Sequence, residues 1–456
     1  MKKKDVIIIG AGLSGLACAH FLKQERPELS CLLLEKSEQS GGVIRSHHEQ
    51  GYLCEWGPHG FLDNKEESRE ILADLDLMAV MQRAPLKEFH RYLCRRGRLL
   101  ALPQKPQELI TSKLLSPWDK MRLLGDLWKK PLPGHPTIGQ WAAYRFGKGV
   151  LPLVDAAVTG TFSGDLHRLS MDAVMPGVRR LEMEYGSLLR GMKARARSGK
   201  GKGGTTLPAM INFPQGLEIL VQRLATGHDI RTGCRVHSLE KTEQGWRLGT
   251  DSGALTAEHV ICALPVNAAL ELLAPFQPPV ARVPLSHICN VSLGFADNNS
   301  IPKGFGFLTP ECEGRFTLGC MFTSRMFPGR APQGKVLLEA LVGGRRHPER
   351  LDLDDAEMIR RVVADLRELL ALPEGAPHFA RVLRPRGGIP QMERGHLNLL
   401  SWRTALEQNN QGIGLCGFGW DGIGINDMTR SARQAIRALD QHGADSGAPE
   451  VKPVYF

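Results

Sequence analysis

The sequence predicts an α/β protein, and three observations support that fold class. An apolar run at residues 6–9 leads into a glycine-rich turn and then into helix-forming residues. A second apolar run, at residues 31–34, follows as the next strand of a parallel sheet would. Near the other end, the apolar residues 412–416 again precede a glycine-rich loop and a helical pattern. Both ends of the chain are therefore expected to build one domain.

The first glycine-rich turn has the spacing of a dinucleotide-binding loop. Gly10, Gly12 and Gly15 form G-x-G-x-x-G, and Leu13 and Ser14 open the helix that follows. Gly10 permits the tight turn, Gly12 lets the backbone approach a pyrophosphate, and Gly15 lets the helix pack close to the strand. The helix N-terminus presents free N–H groups to the phosphates. The turn therefore predicts a bound dinucleotide.

An acidic residue and a second glycine pair come next along the chain. Glu35 ends the second strand, where a carboxylate accepts hydrogen bonds from an adenosine ribose. The glycine pair Gly41-Gly42 lets the chain approach a ligand again, and Arg45 offers a cation to phosphate. This segment resembles the motif that follows the dinucleotide fold in the flavin-containing amine oxidase superfamily. The resemblance implies FAD, held here by Glu35, Lys36, Gly42, Val43 and Arg45.

The C-terminal loop resembles the segment that closes over the flavin in the same superfamily. It runs through residues 417–427 and precedes a helical pattern at residues 428–439. A strand, a glycine loop and a helix N-terminus again suit an anion or a carbonyl. The resemblance implies cofactor contacts from Ile423, Gly424 and Ile425 and a discontinuous cofactor domain of the glutathione-reductase type.

Composition limits the remaining possibilities. The chain has 456 residues, 42% hydrophobic and 23% charged, which is ordinary for a globular protein. We find no uninterrupted apolar run of transmembrane length and no room for a signal peptide before the first strand. The ten cysteines are scattered without C-x-x-C, which indicates reduced thiols and a cytoplasmic protein. The histidines lack metal-ligand spacing, so no metal is expected.

The formal net charge of +10 raises the question of a partner. Nucleic acid is disfavoured, because the basic residues are spread along the chain without interleaved aromatics. Anionic lipid or a carboxylate-bearing substrate fits better, and surface solubility accounts for most of the charge. The basic amphipathic segment 120–130 could rest on a membrane surface or pack on its own protein. A peripheral position on the inner face of the cell membrane therefore stays open.

We predict five segments along the chain. The cofactor domain is built in three parts, an interleaved α+β domain binds the substrate, and a helical domain contacts substrate or membrane. In chain order the segments are 1–88 (cofactor), 89–204 (helical), 205–275 (cofactor), 276–385 (substrate) and 386–456 (cofactor).

Taken together, these segments resemble the oxygen-dependent protoporphyrinogen oxidases over essentially the whole length. The specific phrases are E-W-G-P-H-G-F at residues 55–61, H-R-Y-L at 90–93, G-T-F-S-G-D at 160–165 and G-I-P-Q at 388–391. The resemblance implies flavin contacts from Gly57, Pro58, His59, Gly60 and the backbone of Val236. It implies substrate contacts from Arg91, for a propionate, and from Gly160, Thr161 and Phe322.

The resemblance also implies an activity: the FAD-dependent six-electron oxidation of protoporphyrinogen IX to protoporphyrin IX in heme biosynthesis, with O₂ as acceptor and H₂O₂ as product. A cation at the rim of a wide apolar cavity suits such a macrocycle, and no general base is named because the flavin does the redox work. Coproporphyrinogen III is the alternative substrate. An amine oxidase or desaturase on the same fold, or a noncatalytic flavoprotein, is a further alternative. A homodimer and delivery of product to a ferrochelatase are possible partnerships.

Overall fold

The computed structural model describes residues 4–104, 108, 111–197, 208–299 and 301–439. Numbered along the chain, its first strands are Lys4–Ile9 (β1), Cys31–Leu34 (β2), Ser46–Glu49 (β3), Tyr52–Glu55 (β4), Phe61–Leu62 (β5), Gln82–Pro85 (β6), His90–Arg95 (β7), Arg98–Ala101 (β8), Ala209–Asn212 (β9), Ile230–Arg231 (β10) and Val236–Thr242 (β11). The later strands are Gly245–Thr250 (β12), Gly253–Cys262 (β13), Leu285–Ser286 (β14), Ile288–Ala296 (β15), Gly304–Leu308 (β16), Gly319–Met321 (β17), Lys335–Gly343 (β18), Phe379–Leu383 (β19), Ile389–Pro390 (β20) and Ile413–Leu415 (β21).

The helices are numbered in the same way. They are Leu13–Glu25 (α1), Glu66–Asp74 (α2), Pro117–Leu124 (α3), Ile138–Phe146 (α4), Leu151–Phe162 (α5), Met171–Val174 (α6), Pro176–Tyr185 (α7), Leu188–Arg197 (α8), Glu218–Ala225 (α9), Val266–Leu272 (α10), Thr323–Met326 (α11), Asp355–Arg367 (α12), His396–Asn409 (α13) and Ile425–Arg437 (α14).

The predicted α/β class is confirmed by the sheet that contains the first strand, β1. Its strands stand in the order β10-β2-β1-β13-β12-β11, and β21 pairs with the far end of β13. The pairs among β10, β2, β1, β13 and β21 are parallel, whereas β11 and β12 add an antiparallel extension to β13. Because β1 and β21 lie on either side of β13, the two ends of the chain complete one sheet.

Helices α1 and α14 cover one face of this sheet. Nearly every residue of α1 from Leu13 to Leu22 is buried, because the helix lies between the sheet and other helices. The buried side of α14 carries Ile425, Met428, Ala432 and Ile436, at helical spacing. These side chains share one hydrophobic core with α1, which fixes both helix N-termini at the carboxyl ends of the parallel strands.

A second sheet forms the other half of the molecule. We call it the substrate sheet, after the role predicted for residues 276–385, and we call the first one the cofactor sheet. The strand order of the substrate sheet is β19-β15-β18-β17-β16-β7-β8, antiparallel except for the parallel pair β16–β7. One face packs on α12 through a core that includes Val291, Leu338 and Val362. The hairpin β7–β8 belongs to this sheet, whereas we placed residues 89–101 in the helical segment. The local sequence of the hairpin does not reveal that its partner strand lies two hundred residues further on.

The helical segment between the two halves is held by a buried polar cluster. Arg145 is fully buried and pairs with Asp126 at 2.9 Å and with Glu182 at 2.7 Å. We predicted a basic amphipathic helix at residues 120–130, but the helix in the structure, α3, begins and ends earlier. The Ser116 hydroxyl caps its N-terminus, and it ends at Leu124 before a 3₁₀ turn. Within the described ranges, no helix is long and apolar enough to cross a membrane.

Candidate functional site

The first glycine loop has the geometry that a dinucleotide requires. Gly10 has a φ of +97°, and a Cβ on Gly15 would lie 1.8 Å from the Gly10 carbonyl oxygen. Gly12 stands at the N-terminus of α1, where no side chain of the described residues caps the free N–H groups. The buried residues Leu13 and Ser14 form the first turn. These N–H groups are therefore available to an anion.

The second glycine pair faces the first loop. A Cβ on Gly42 would lie 3.4 Å from the Cα of Gly12, so the two loops approach each other at backbone distance. A Cβ on Gly57 would in turn lie 2.4 Å from the Val43 carbonyl oxygen. Three backbone segments thus form a cradle that side chains would fill, which fits a dinucleotide bound between them.

Glu35 lies at the carboxyl end of β2, beside this cradle. Its two carboxylate oxygens accept hydrogen bonds from the N–H groups of Ala11 and Ser37, each at 2.9 Å. These bonds fix the carboxylate and leave lone pairs on both oxygens for a further donor such as a ribose hydroxyl. The arrangement fits the role that we predicted for Glu35.

Arg45, a predicted cofactor contact, also has partners within the protein. Its guanidinium donates to Glu218 at 2.8 Å and to the Ser40 carbonyl at 2.8 Å, which ties the second glycine loop to α9. Val236 opens β11 at an irregularity of the β11–β12 ladder and is half-buried. Neither residue lines the cavity described next.

A cavity of about 2180 Å³ lies where the cofactor sheet, the substrate sheet and the helical segment meet. Of the predicted cofactor residues it is lined by Lys36, Val43, Gly57, Pro58, His59, Gly60, Ile423, Gly424 and Ile425. Its apolar wall includes Val158, Phe162, Met210, Ile288, Met321 and Leu341. The structure therefore brings the C-terminal loop and the loop at residues 57–60 to one large apolar space, next to the glycine cradle.

Three of the four predicted substrate residues line the same cavity. Arg91 projects from β7, and Gly160 and Thr161 lie in the last turn of α5. A Cβ on Gly160 would meet the Leu308 side chain at 2.7 Å, so glycine lets α5 pack on β16. Phe322 is fully buried in the core between the substrate sheet and α12. It does not line the cavity, whereas its neighbour Met321 does.

Arg91 is an unusual cation, because no carboxylate in the described part of the chain pairs with it. Its guanidinium lies 5.0 Å from the centre of the Phe305 ring. Burial lowers the pKa of the Arg91 guanidinium to about 10, so the group stays charged at neutral pH. A charged group held on an apolar wall without a counter-ion is suited to an anionic group of a ligand.

The sequence reasoning missed a buried ionic cluster behind the cavity wall. Glu55 pairs with Arg330 at 2.7 Å, and Glu339 lies 3.4 Å from the Nε2 atom of His59. A glutamate within the otherwise apolar strand β18 was the available signal, since a buried carboxylate needs partners. His59, which we treated only as a flavin contact, joins this cluster to the cavity.

The ionisation of this pair follows from its surroundings. Burial alone would lower the pKa of His59, but the charge of Glu339 and its hydrogen bond raise that pKa above the ordinary value of 6.5. Burial opposes ionisation of Glu339, yet His59 and hydrogen bonds from Thr323 and Asn290 lower its pKa to about 2. Both groups are therefore charged near pH 6.

We expect the pair to give stability a defined pH dependence. The contribution of Glu339 is lost as pH falls from 4.5 towards 2, and that of His59 is lost as pH rises through its raised pKa. His59→Asn should therefore lower the free energy of unfolding by about 3 kcal/mol near pH 6 and by less at pH 9. Urea unfolding at both pH values measures this difference. His347→Asn, at a surface histidine, is the control, and an equal loss at both values would contradict the expectation.

The fold and the cradle define a class, the FAD-dependent oxidoreductases with a discontinuous cofactor domain. Residues 13–404 match the family described as flavin containing amine oxidoreductase. The chain belongs to this family, and FAD is its cofactor. When bound, FAD accepts two electrons from a substrate and is reoxidised; the residues described above fit its nucleotide half at the glycine cradle.

Named relatives cover nearly the whole chain. The coproporphyrinogen III oxidase of Bacillus subtilis is 28% identical over 95% of this chain and 97% of its own length. The chloroplastic protoporphyrinogen oxidase of Nicotiana tabacum is 28% identical over 94% of this chain and 84% of its own length. A solved structure from Exiguobacterium sp., provisionally assigned as a protoporphyrinogen oxidase, has a TM-score of 0.80 at 22% identity and covers 97% of this chain and 100% of its own. At that identity the structural likeness shows the fold alone.

Proposed function

We propose that this enzyme oxidises protoporphyrinogen IX to protoporphyrin IX, with FAD as the bound cofactor and O₂ as the electron acceptor. The observation that carries the proposal is the Arg91 guanidinium, which pairs with no carboxylate among the described residues and lies on the wall of a wide, largely apolar cavity. A porphyrinogen offers a large apolar ring together with propionates, so it matches both features. Protoporphyrinogen oxidases of Nicotiana tabacum and Arabidopsis thaliana among the relatives support this choice.

The chain's own residues bind and orient the substrate. We infer that Arg91 holds one propionate, while Thr161 and the backbone at Gly160 limit the cavity on the side of α5. The apolar wall excludes water from the reacting carbon. Loss of six electrons from the ring, in three steps of two, consumes three O₂ and releases three H₂O₂. Flavin contacts are assigned to the cradle, Glu35, Lys36, the loop at residues 57–60 and the C-terminal loop.

The test is porphyrin fluorescence in air after purified holoenzyme is added to protoporphyrinogen IX. Fluorescence should increase much faster than it does when the porphyrinogen oxidises spontaneously in air, with one H₂O₂ formed per O₂ consumed. Parallel assays with a primary amine and with coproporphyrinogen III examine the competing activities. Bound flavin that oxidises only the amine would overturn the porphyrinogen proposal and leave the family assignment intact.

A second candidate substrate, coproporphyrinogen III, is favoured by two more cations. Arg282 and Arg386 line the mouth of the same cavity, are exposed, and form no ion pair within the described part of the chain. We call them the rim pair. A substrate with four carboxylates would use them, whereas one with two propionates would need fewer cations. The coproporphyrinogen III oxidases of Bacillus subtilis and Staphylococcus aureus support this candidate.

Replacement of the rim pair should separate the two substrates. We expect the double variant Arg282→Met/Arg386→Met to lose about tenfold in kcat/KM for coproporphyrinogen III, because each exposed ion pair contributes up to about 1 kcal/mol. Activity on protoporphyrinogen IX should change less than twofold. Arg247→Met, at an exposed strand residue outside the cavity, is the control. An equal loss for both substrates would remove the rim pair from substrate selection.

We also infer that the helical segment rests on an anionic lipid surface, which places a cytoplasmic protein on the inner face of the cell membrane. Trp118, Met121 and Leu124 of α3 are 65, 64 and 56% exposed, and Trp128, which follows the 3₁₀ turn after α3, is 77% exposed. We call these four residues the α3 stripe. Exposed basic residues, Arg122 and Lys130, flank the stripe and suit anionic headgroups.

Vesicle binding tests this inference. We expect the protein to sediment with vesicles containing phosphatidylglycerol and only weakly with pure phosphatidylcholine, and Trp118→Ala/Trp128→Ala should reduce binding at least tenfold. The control Met78→Ala/Val80→Ala removes exposed apolar side chains from another surface and should bind normally. Equal binding by both double variants would contradict the inference. Hand-over of product to a ferrochelatase and a homodimer stay predictions.

A further inference from the structure

The buried ionic cluster behind the cavity has a defined membership. Four ionisable groups form it, each at most 9% exposed: Glu55, His59, Arg330 and Glu339. Neutral side chains that hydrogen-bond to them include Ser46, Asn212, Asn290, Ser292 and Thr323. The cluster therefore joins β4 and its following loop to strands β15 and β18, which belong to the other half of the molecule.

Strand alternation places this cluster directly behind the cavity wall. Successive side chains of a strand point to opposite faces, so Glu339 and Leu341 share one face of β18, and Asn290 and Ile288 share one face of β15. Leu341 and Ile288 line the cavity, as does Met321, the register partner of Glu339 on β17. Glu339 thus lies behind the residues that line the cavity, and His59 lies between Glu339 and the open space.

The charges of the cluster balance only if His59 is protonated. Glu55 receives the Arg330 guanidinium, together with the amide of Asn212 at 2.9 Å. Glu339 is approached by no guanidinium among the described residues. It receives the Thr323 hydroxyl at 2.6 Å, the Asn290 amide at 2.7 Å and His59. Two carboxylates and one guanidinium leave one negative charge in a buried site, and the imidazolium of His59 neutralises it.

The position of His59 is fixed by its own backbone. The Asn212 amide donates to the His59 carbonyl at 2.9 Å. On one side Gly57 packs against the Val43 carbonyl, and on the other a Cβ on Gly60 would lie 2.6 Å from the Ile211 carbonyl. The loop is therefore closely packed on both sides of His59. Nε2 lies 3.4 Å from Glu339 and 3.3 Å from the Asn290 amide nitrogen, which itself donates to Glu339. Nδ1 has no partner within the described residues, so its N–H is available to a group bound in the cavity.

We propose that His59 is a fixed cation of the flavin pocket that stabilises the negative charge gained by the isoalloxazine ring on reduction, and that Glu339 is the positioning residue that keeps His59 protonated and oriented. Uptake of two electrons and one proton leaves the ring with one negative charge more than the oxidised form. A positive charge held in a site of low polarity stabilises that charge without reorganising. The inference rests on flavin binding and not on which substrate reduces the flavin.

The first test measures the midpoint potential of the bound flavin in photoreduced holoenzyme, without any substrate. Compared with wild type, His59→Asn should destabilise the reduced flavin at least tenfold, which for a two-electron couple is a fall of about 30 mV. His347→Asn removes a histidine that contacts two surface glutamates and should leave the potential unchanged. An unchanged potential in His59→Asn that retains flavin would overturn the proposal.

The second test follows His59 itself by NMR in protein labelled with ¹³C-histidine, the signal being assigned from its loss in His59→Asn. In wild type we expect the His59 signal to titrate above pH 6.5, and Glu339→Gln should lower its midpoint by at least one pH unit. Should Glu339→Gln fail to fold, Thr323→Val removes one hydrogen bond from Glu339 and gives a smaller shift in the same direction. If His59 in wild type titrated with the ordinary histidine pKa of 6.5, Glu339 would not have the proposed positioning role. A porphyrin assay that fails leaves both measurements interpretable, since neither uses a porphyrinogen.

Discussion

Arg91→Met should lower kcat/KM for protoporphyrinogen IX by between about 30-fold and 150-fold, and chiefly by raising KM. A hydrogen bond between charged groups contributes about 2–3 kcal/mol in a partly desolvated site, and methionine keeps the apolar volume while it removes the charge. The loss is expected in binding because Arg91 lies on the cavity wall and holds a propionate remote from the reacting carbon.

The same substitution should leave the free protein at least as stable as wild type. Arg91 has no carboxylate partner among the described residues, and burial already disfavours its charge, as its lowered pKa indicates. Removal of an uncompensated cation then relieves a desolvation cost. Thermal unfolding of apoprotein checks this point. A large fall in Tm would mean that Arg91 supports the fold, contrary to its proposed role.

Two comparisons make the Arg91 experiment specific. Arg98→Met changes an exposed arginine on the adjacent strand β8, outside the cavity, and should retain wild-type kinetics. The dimethyl ester of protoporphyrinogen lacks the carboxylates, so wild type and Arg91→Met should oxidise it at similar rates. If Arg91→Met impaired the ester as strongly as the acid, the guanidinium would not be acting on a propionate.

The cofactor half of the site was predictable because its signals are local. The order of strand, glycine turn, helix and acidic residue occupies residues 6–35, and the structure places Glu35 beside the turn through its bond with Ala11. Where two backbone segments approach closely, as at Gly15 and Gly10, the position requires glycine, and that glycine is visible in the sequence. A short stretch of chain therefore carried the information that this half of the fold needs.

The substrate half depends on contacts between distant residues, and the sequence reveals less of it. Strand β7 pairs with β16, so the wall that carries Arg91 is completed by residues far along the chain. Met321 ends β17 and Phe322 follows it before α11, and only Met321 lines the cavity. We chose Phe322, which is buried in the opposite core. Without the sheet register, the facing side of that strand was undetermined.

The buried cluster was missed for a related reason. Glu55, Arg330 and Glu339 come from three separate segments, and only Glu339, among the apolar residues of β18, carries a local signal of burial. Only the fold shows that they share one buried site with His59. Since such a cluster is costly to bury, its presence beside the cavity favours a role in setting the charge that a bound flavin experiences.

Gly12→Ala and Gly15→Ala should separate flavin binding from folding. A Cβ on Gly15 would collide with the Gly10 carbonyl at 1.8 Å, so Gly15→Ala must displace α1 from β1 and should cost about 1–3 kcal/mol of stability. A Cβ on Gly12 meets only the Cα of Gly42, at 3.9 Å, and the φ of Gly12 is −77°, which alanine adopts readily. The apoprotein of Gly12→Ala should therefore be as stable as wild type.

Flavin retention should nevertheless fall in Gly12→Ala, because the new methyl group occupies the gap between the two glycine loops. We expect FAD affinity to drop at least tenfold, measured as the ratio of flavin to protein absorbance after dialysis and by fluorescence titration of the apoprotein. Gly125→Ala, at a helical φ of −59° with open space around it, is the matched control and should retain flavin. If Gly12→Ala bound FAD normally, the pyrophosphate would not pass between the loops, and the cradle would be a packing feature of the fold.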